Sequence, residues 1–352
     1  MQSAISKTLI EWYKKNKRDL PWRNTTDAYT IWISEIILQQ TRVAQGLDYF
    51  ERFIRRFPDV LSLAVAREEE VLRYWQGLGY YSRARNLHAA AKEILERFNG
   101  TFPDRYEDVR SLKGIGDYTA AAICSFAYRQ PYAVLDGNVY RVLSRLLSIE
   151  TEIDTPAGKR LFQEAAFSLL DEKEPDIYNQ AIMEFGALQC TPQQPQCLSC
   201  PLAGNCLAHE KGIEKSLPHK QGKTSVKERF FNYFYIQNKG SVWIHKRTGN
   251  DIWKNLFELP LIETDKRLSL EELQQTEAYQ KLFADVQRIV ISSSVFEAKH
   301  VLSHRIIYAS FYTIEIDAPG SGFSEYRKIA TSEIDDFAVS RLTLRFLEHI
   351  HV

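Results

Sequence analysis

Leu112-Lys113-Gly114-Ile115-Gly116-Asp117-Tyr118-Thr119-Ala120 is the stretch on which the reading of this chain turns. Two glycines, one residue apart, stand directly before an apolar helical run over 117–127. Glycine tolerates the tight backbone of a short turn between helices, and unpaired N–H groups at the start of the next helix can hold a phosphate. Twenty residues beyond Gly116 comes Asp136, in Val134-Leu135-Asp136-Gly137-Asn138-Val139, with Arg141 and Arg145 on the helix that follows. An aspartate there caps a helix, and capping leaves the same carboxylate able to take part in chemistry.

Working outward, residues 1–216 read as helical. Apolar side chains recur at three- and four-residue spacing in 5–13, 28–38, 43–54, 84–98, 138–147 and 160–170. Turns at Phe57-Pro58-Asp59, Phe102-Pro103-Asp104 and Asp154-Thr155-Pro156 separate them, and Asp59 and Asp104 are expected helix caps. A polar linker is expected over 217–227. From 228 to 352 the texture becomes aromatic and β-branched. Phe230–Gln237 and Val242–Lys246, joined by Asn238-Lys239-Gly240, predict a hairpin. Strands are expected over 289–294, 300–302 and 306–316, and helices over 269–284 and 331–348. This part is therefore α+β.

Cys190, Cys197, Cys200 and Cys206 form C-x6-C-x2-C-x5-C. So short a span can wrap one metal centre through four thiolates, either zinc or an iron–sulfur cluster. Only Cys197 and Cys200 lie as close as a zinc knuckle requires, and the longer arms suit a larger cluster better. Cys124, alone on an alanine-rich helix, reads as a core residue.

Composition bounds the remaining choices. The 352 residues are 44% apolar and 26% charged, as in a soluble protein of two domains. No apolar run reaches the roughly 20 residues of a membrane helix, and no secretory signal opens the chain. A cytoplasmic, monomeric protein is expected. The 45 basic and 45 acidic residues cancel, which argues against a non-specific nucleic-acid coat. The cancellation conceals segregation: 71–92 holds Arg73, Arg83, Arg85 and Lys92 without an acid, whereas acids predominate over 150–176. One side of the molecule can therefore still meet DNA.

The L-x-G-I-G-x-x-T-A hairpin, the D-G-N-V-x-R-V-x-x-R segment and the cysteine spacing, in that order, resemble the helix-hairpin-helix, endonuclease III-like family of base-excision DNA glycosylases. The resemblance implies a hairpin motif at about 105–125 and a [4Fe–4S] cluster in the loop 190–206. It also implies DNA contacts from Lys113, Gly114, Gly116 and Arg141, and a nucleoid-associated location. Members that also cleave the backbone carry a lysine where this chain has Tyr118. Tyrosine forms no Schiff base, which implies a monofunctional enzyme acting through water.

Leu20-Pro21-Trp22-Arg23 and Trp32-Ile33-Ser34-Glu35-Ile36-Ile37-Leu38-Gln39-Gln40-Thr41 are similar to the MutY-type adenine glycosylases within that family. Glu35 takes the place of their general acid. Ile33, Ile36 and Ile37 beside it favour burial, which raises a carboxyl pKa and lets it protonate adenine N7. The resemblance gives Asp136 the oxocarbenium-like sugar to stabilise, Tyr118 the sugar to position, and Asn138 the task of orienting Asp136 and a water. A base within a duplex must be flipped out to react. Gln40 and Tyr80 match stack-invading positions, with Thr41 and Arg83 as further DNA contacts. Arg18, Trp22 and Arg23 match the adenine pocket, and Gln180 stands where some relatives carry an acid.

In the second part, Gly249, Trp253 and Leu256-Phe257-Glu258-Leu259-Pro260 resemble the start of a Nudix-like domain. The carboxylate-rich hydrolase box is missing, so recognition is expected rather than nucleotide hydrolysis. His300-Val301-Leu302-Ser303-His304 resembles a Phe-Ser-His loop that reads 8-oxoguanine, with Leu302 in place of the aromatic. Leu302, Ser303 and His304 are the expected lesion contacts. The implied substrate is duplex DNA with adenine opposite 8-oxoguanine or guanine. A glycosylase/lyase for oxidised pyrimidines is disfavoured by Tyr118. A non-catalytic iron–sulfur DNA-binding protein would need neither Glu35 nor Asp136.

Overall fold

A computed structural model describes residues 2–222, 226–302 and 304–350. The first part carries α1 (Gln2–Asn16), α2 (Ala28–Leu38), α3 (Val43–Arg56), α4 (Val60–Ala64), α5 (Glu68–Trp75) and α6 (Ser82–Phe98). It continues with α7 (Tyr106–Ser111), α8 (Asp117–Tyr128), α9 (Gly137–Leu146), α10 (Pro156–Leu169), α11 (Pro175–Leu188) and α12 (Leu207–Lys211). Helix α2 is apolar on nearly every side, and Ala28, Tyr29 and Ile31 through Ile37 are all buried. A helix of that kind runs through a core rather than along a surface. Asp27 caps it by accepting the Thr30 N–H at 2.7 Å.

The expected caps divide. Asp59 starts α4 and accepts the Ser62 N–H at 2.7 Å. Asp104 caps nothing: α7 begins one residue later, after Arg105, and the Asp104 carbonyl accepts from the Gln130 amide. Helices α7 and α8 flank the two-glycine turn. Gly114 has φ +80°, and a side chain there would come within 2.6 Å of the Asn86 Cβ. Glycine is needed both for the left-handed backbone and for the close approach.

The second part is built on β1 (Lys227–Asn238), β2 (Ser241–Lys246), β3 (Phe257–Glu258), β4 (Leu261–Thr264), β5 (Ile289–Val301), β6 (Arg305–Ile316) and β7 (Arg327–Ala330). The main path of the sheet is β3-β2-β1-β6-β5, with β4 on β1 and β7 on β2. The expected β1–β2 hairpin pairs only at its tip, Gln237 with Val242 and Asn238 with Ser241. The long partner of β1 is instead β6, parallel from Lys227 opposite Arg305 to Gln237 opposite Glu315. The two strands expected over 289–302 are one, interrupted by a bulge between Ile291 and Val295. The expected helix 269–284 is two, α13 (Leu270–Gln274) and α14 (Glu277–Leu282), and 331–348 becomes a 3-10 turn before α15 (Arg341–Ile350).

The chain divides into two compact units. One holds the residues up to Val65 and Asn86–Gly222; the other adds Ala66–Arg85 to the C-terminal residues. The sequence reading placed 66–85 with the helical part. Polar ties explain the difference: Lys246 Nζ meets Glu69 at 2.7 Å, Arg85 donates to the Lys254 carbonyl, and Tyr81 donates to the Val339 carbonyl. Arg73 pairs with Asp336 at 3.0 Å. Arg73 and Arg85 of the basic stretch are thus engaged within that unit.

Candidate active site and cysteine loop

A cavity of about 1640 Å³ opens in the helical unit. Glu35 from α2, Tyr118 from α8 and Asp136 with Asn138 at the start of α9 all line it. Glu35 is only 7% exposed, as its isoleucine neighbours imply. Tyr118 donates its hydroxyl to Glu35 Oε2 at 2.6 Å. Burial pushes the Glu35 carboxyl up to about 7; the Tyr118 hydrogen bond lowers it and the charge of Asp136 raises it further. Burial also holds the Tyr118 phenol well above its ordinary range, so it remains a donor.

Asp136 both caps α9 and faces the cavity. Its Oδ1 accepts the Val139 N–H at 2.7 Å, and its Oδ2 accepts the Asn138 side-chain amide at 2.7 Å. Burial raises its pKa, while those two donors and Arg141 pull against the rise. Asn138 is oriented from behind, because Arg141 Nη2 donates to its Oδ1 at 2.9 Å and leaves the NH₂ for Asp136. Gly186 of α11 allows this approach, since a Cβ there would lie 2.7 Å from Asn138 Cβ.

Arg141 is a correction to the expected DNA contacts. It is buried, and it also donates to the carbonyls of Gly186 at 2.6 Å and Cys190 at 2.8 Å. Its donors serve the interior rather than a phosphate. Lys113 is exposed on the hairpin with its backbone N–H on Glu93, and Gly116 opens α8 without a side-chain cap, so the first N–H groups of that helix are not taken by one. Arg83 lies over the Trp75 and Tyr80 rings, and burial lowers its pKa to about 10. Gln40 and Tyr80 are non-glycine residues in the left-handed region, at φ 57° and 47°. Such backbone gathers at functional sites. Thr41 and Gln40 also line the cavity.

Of the expected pocket residues, Trp22 is buried edge-on against Phe50 at 5.2 Å. Arg18 and Arg23 both turn to a residue that the sequence reading missed. Glu184, fully buried on α11, accepts from Arg18 Nε at 2.8 Å and from Arg23 Nη1 and Nη2 at 2.9 and 2.7 Å. Burial alone would raise its pKa, but the two guanidinium forks hold it down to about 2. A glutamate between Met183 and Phe185 on an apolar helix was the available signal, because a buried carboxylate requires a partner. Gln180, one turn earlier, accepts the Tyr13 hydroxyl at 2.6 Å.

The four cysteines line a second, smaller cavity and form no disulfide with one another. Their chemistry fits a metal centre. Burial pushes the Cys197 thiol up to about 11 and raises Cys200 and Cys206. Thiols so crowded do not ionise together without cations among them. Arg145, 2% exposed, donates to Cys190 Sγ at 3.4 Å and to the carbonyls of Thr191 and Pro192. Cys197, His209 and Glu214 also bring three potential ligand atoms within 4.8 Å of one another.

In the C-terminal unit, the tip of the β5–β6 hairpin is closed by Leu302 N–H donating to the Arg305 carbonyl at 2.8 Å. The exposed His304 is held by its own carbonyl, which accepts from Lys227 N–H at 3.0 Å. Ser303 lies outside the described residues.

Comparison with known proteins separates a helical part, with 66–85 inside it, from a C-terminal part. Residues 33–166 match the HhH-GPD superfamily base excision DNA repair protein family, and 232–349 match the NUDIX domain. An adenine DNA glycosylase of Buchnera aphidicola (subspecies Schizaphis graminum) is 36% identical over 308 residues, covering 86% of each chain. Another, from the Acyrthosiphon pisum subspecies, is 37% identical over 258 residues, 73% of each. Among solved structures, a thermostable thymine-DNA glycosylase superposes with a TM-score of 0.56 at 25% identity, over 60% of this chain and 97% of that one. With a helical glycosylase unit, a Nudix unit and relatives of this extent, the chain belongs to the adenine DNA glycosylases, the MutY-type, adenine-specific N-glycosylases of base-excision repair.

Proposed function

We infer that this enzyme hydrolyses the N-glycosidic bond of adenine opposite 8-oxoguanine or guanine in duplex DNA, acts as a monomer, and leaves the backbone intact. The observation that carries the reading is the pair Glu35 and Asp136 in one cavity, the first pushed up to about 7 by burial. Near neutral pH a large fraction of Glu35 carries a proton to give. Protonating adenine N7 lets the C1′–N9 bond break with its electron pair on the base, while positive charge builds on the sugar. Asp136, held by Asn138 and the Val139 N–H, faces that charge. Water then supplies the oxygen that bonds to C1′, and the proton it loses returns to the Glu35 carboxylate, which restores the acid. Tyr118 positions Glu35 through their hydrogen bond and lies against the sugar.

Trp22, with Arg18 and Arg23 braced on Glu184, forms the wall that receives the base. Gln40, with Thr41 next to it in the helical unit, and Tyr80, with Arg83 over its ring in the other unit, are each assigned to the stack vacated by the flipped nucleotide. Lys113 and the backbone at Gly114 and Gly116 take a phosphate. Cys190, Cys197, Cys200 and Cys206 hold a [4Fe–4S] cluster, which supplies four charge-compensated ties across the loop rather than a group in the bond cleavage. Leu302, Ser303 and His304 read 8-oxoguanine. The test is base release from duplexes carrying A opposite 8-oxoguanine, G or T, with alkali omitted in a parallel arm. The account expects release from the first two, little from A:T, and no strand breaks or borohydride-trapped adduct without alkali. Efficient trapping contradicts the monofunctional assignment, and equal release from A:T contradicts the mispair reading.

A further inference from the structure

The hairpin tip bearing Leu302 and His304 is braced by a loop that the sequence reading used only for the Nudix resemblance of Gly249 and Trp253. Between β2 and β3, that loop is closed by Asn255 N–H on the Arg247 carbonyl at 2.7 Å and Arg247 N–H on the Leu256 carbonyl at 2.9 Å. Trp253 and Asn255 both take left-handed backbone within it, at φ 59° and 67°. The loop is therefore tightly shaped, and its Asp251 is the point where three arginines meet. Arg305 Nη1 donates to Oδ1 at 2.6 Å; Arg229 Nη1 and Arg247 Nη2 donate to Oδ2 at 2.7 and 3.2 Å.

Two of these arginines are fixed by second carboxylates. Arg229 forks onto Glu263 at 2.6 and 2.7 Å, and Arg247 Nη1 lies 2.9 and 2.7 Å from the oxygens of buried Glu258, which also accepts the Tyr233 hydroxyl. Arg305 differs. Arg305, the residue directly after His304, meets Asp251 as its one carboxylate among the described residues. A second contact lies on the same hairpin, where the Trp253 ring packs 5.8 Å from the His300 ring. The loop therefore touches the hairpin on both sides of the tip, at His300 and at Arg305.

We propose that Asp251, through Arg305, is a positioning residue that sets Leu302 and His304 for lesion recognition. The inference rests on the reading of that tip given above. Charge-assisted bonds to a rigid carboxylate fix the Arg305 backbone, and with it the carbonyl that accepts from Leu302 and the peptide leaving His304. A group poised to read one lesion loses discrimination when its support slackens, although base release itself takes place elsewhere.

The experiment compares Asp251→Asn, Arg305→Met, Arg305→Lys and His304→Ala in the full chain. Single-turnover release is measured from A opposite 8-oxoguanine and from A opposite G, with hydrogen exchange of the 299–306 peptide. The proposal expects Asp251→Asn and Arg305→Met to lower the ratio of the two rates by about five- to tenfold, with the A:G rate little changed. Arg305→Lys, which keeps one charged bond, should restore most of the ratio, and exchange should quicken at the tip alone. An unchanged ratio in Arg305→Met, with His304→Ala lowering it, overturns the bracing role and leaves the lesion reading standing. An unchanged ratio in His304→Ala overturns the lesion reading and the bracing role with it. Because Arg305 is more than a third exposed, its variant decides the matter even where Asp251→Asn folds poorly.

Discussion

Two walls of one cavity hold glutamates in opposite states. Glu35 on α2 meets apolar neighbours and a single phenol donor, and burial pushes it up to about 7. The Glu184 side chain on α11 is likewise shut off from solvent, but Arg18 and Arg23 outweigh its burial and hold it down to about 2. Burial alone thus does not decide the charge of a carboxyl; the donors that accompany it do. One wall stores a proton for the leaving base, and the other stores a fixed charge that stiffens the pocket.

The comparison breaks most visibly at the group facing Glu35. Asp136→Asn should slow base release by about 10²–10³-fold, since it removes the charge aimed at the sugar cation. Binding of mispaired duplex, followed by electrophoretic mobility, should change little. On the opposite wall, Glu184→Gln leaves two guanidinium groups short of their partner and should cost about 3 kcal/mol of stability, read by denaturant unfolding. Glu35→Gln should act the other way. A carboxyl raised in the folded state binds a proton more tightly than in the unfolded chain, so its cost appears as pH rises from about 4.5 to about 7 and persists above. The amide should therefore stabilise the enzyme by about 3 kcal/mol at pH 8 and by little at pH 4. Tyr118→Phe should have the smallest effect, about tenfold or less in rate, from loss of one hydrogen bond at Glu35.

These contrasts were unequally legible in the sequence. Glu35 was picked out by the resemblance to MutY-type glycosylases, and its burial was readable because Ile33, Ile36 and Ile37 share its helix. Glu184 was not, because the arginines that define it lie more than 160 residues away. Arg141 was visible as a basic residue after Asp136, but its inward direction depends on α11 approaching at Gly186. Its spacing of three from Asn138 was the local clue. The strands of the second unit were legible as strands, whereas the parallel β1–β6 pairing was not, since adjacency in sequence favours the β1–β2 hairpin. The same pairing sets Lys227 opposite Arg305 and so holds the tip that carries His304.

The most direct test of the central claim is the pH dependence of single-turnover adenine release, in the native enzyme and in Glu35→Gln. With Glu35 as the general acid, the native rate should fall about tenfold per unit once pH passes about 7, as the protonated fraction falls. The variant should be slower by about 10²–10⁴-fold and should lose that limb. A variant that releases adenine at near the native rate, or keeps the same fall above pH 7, would contradict the assignment.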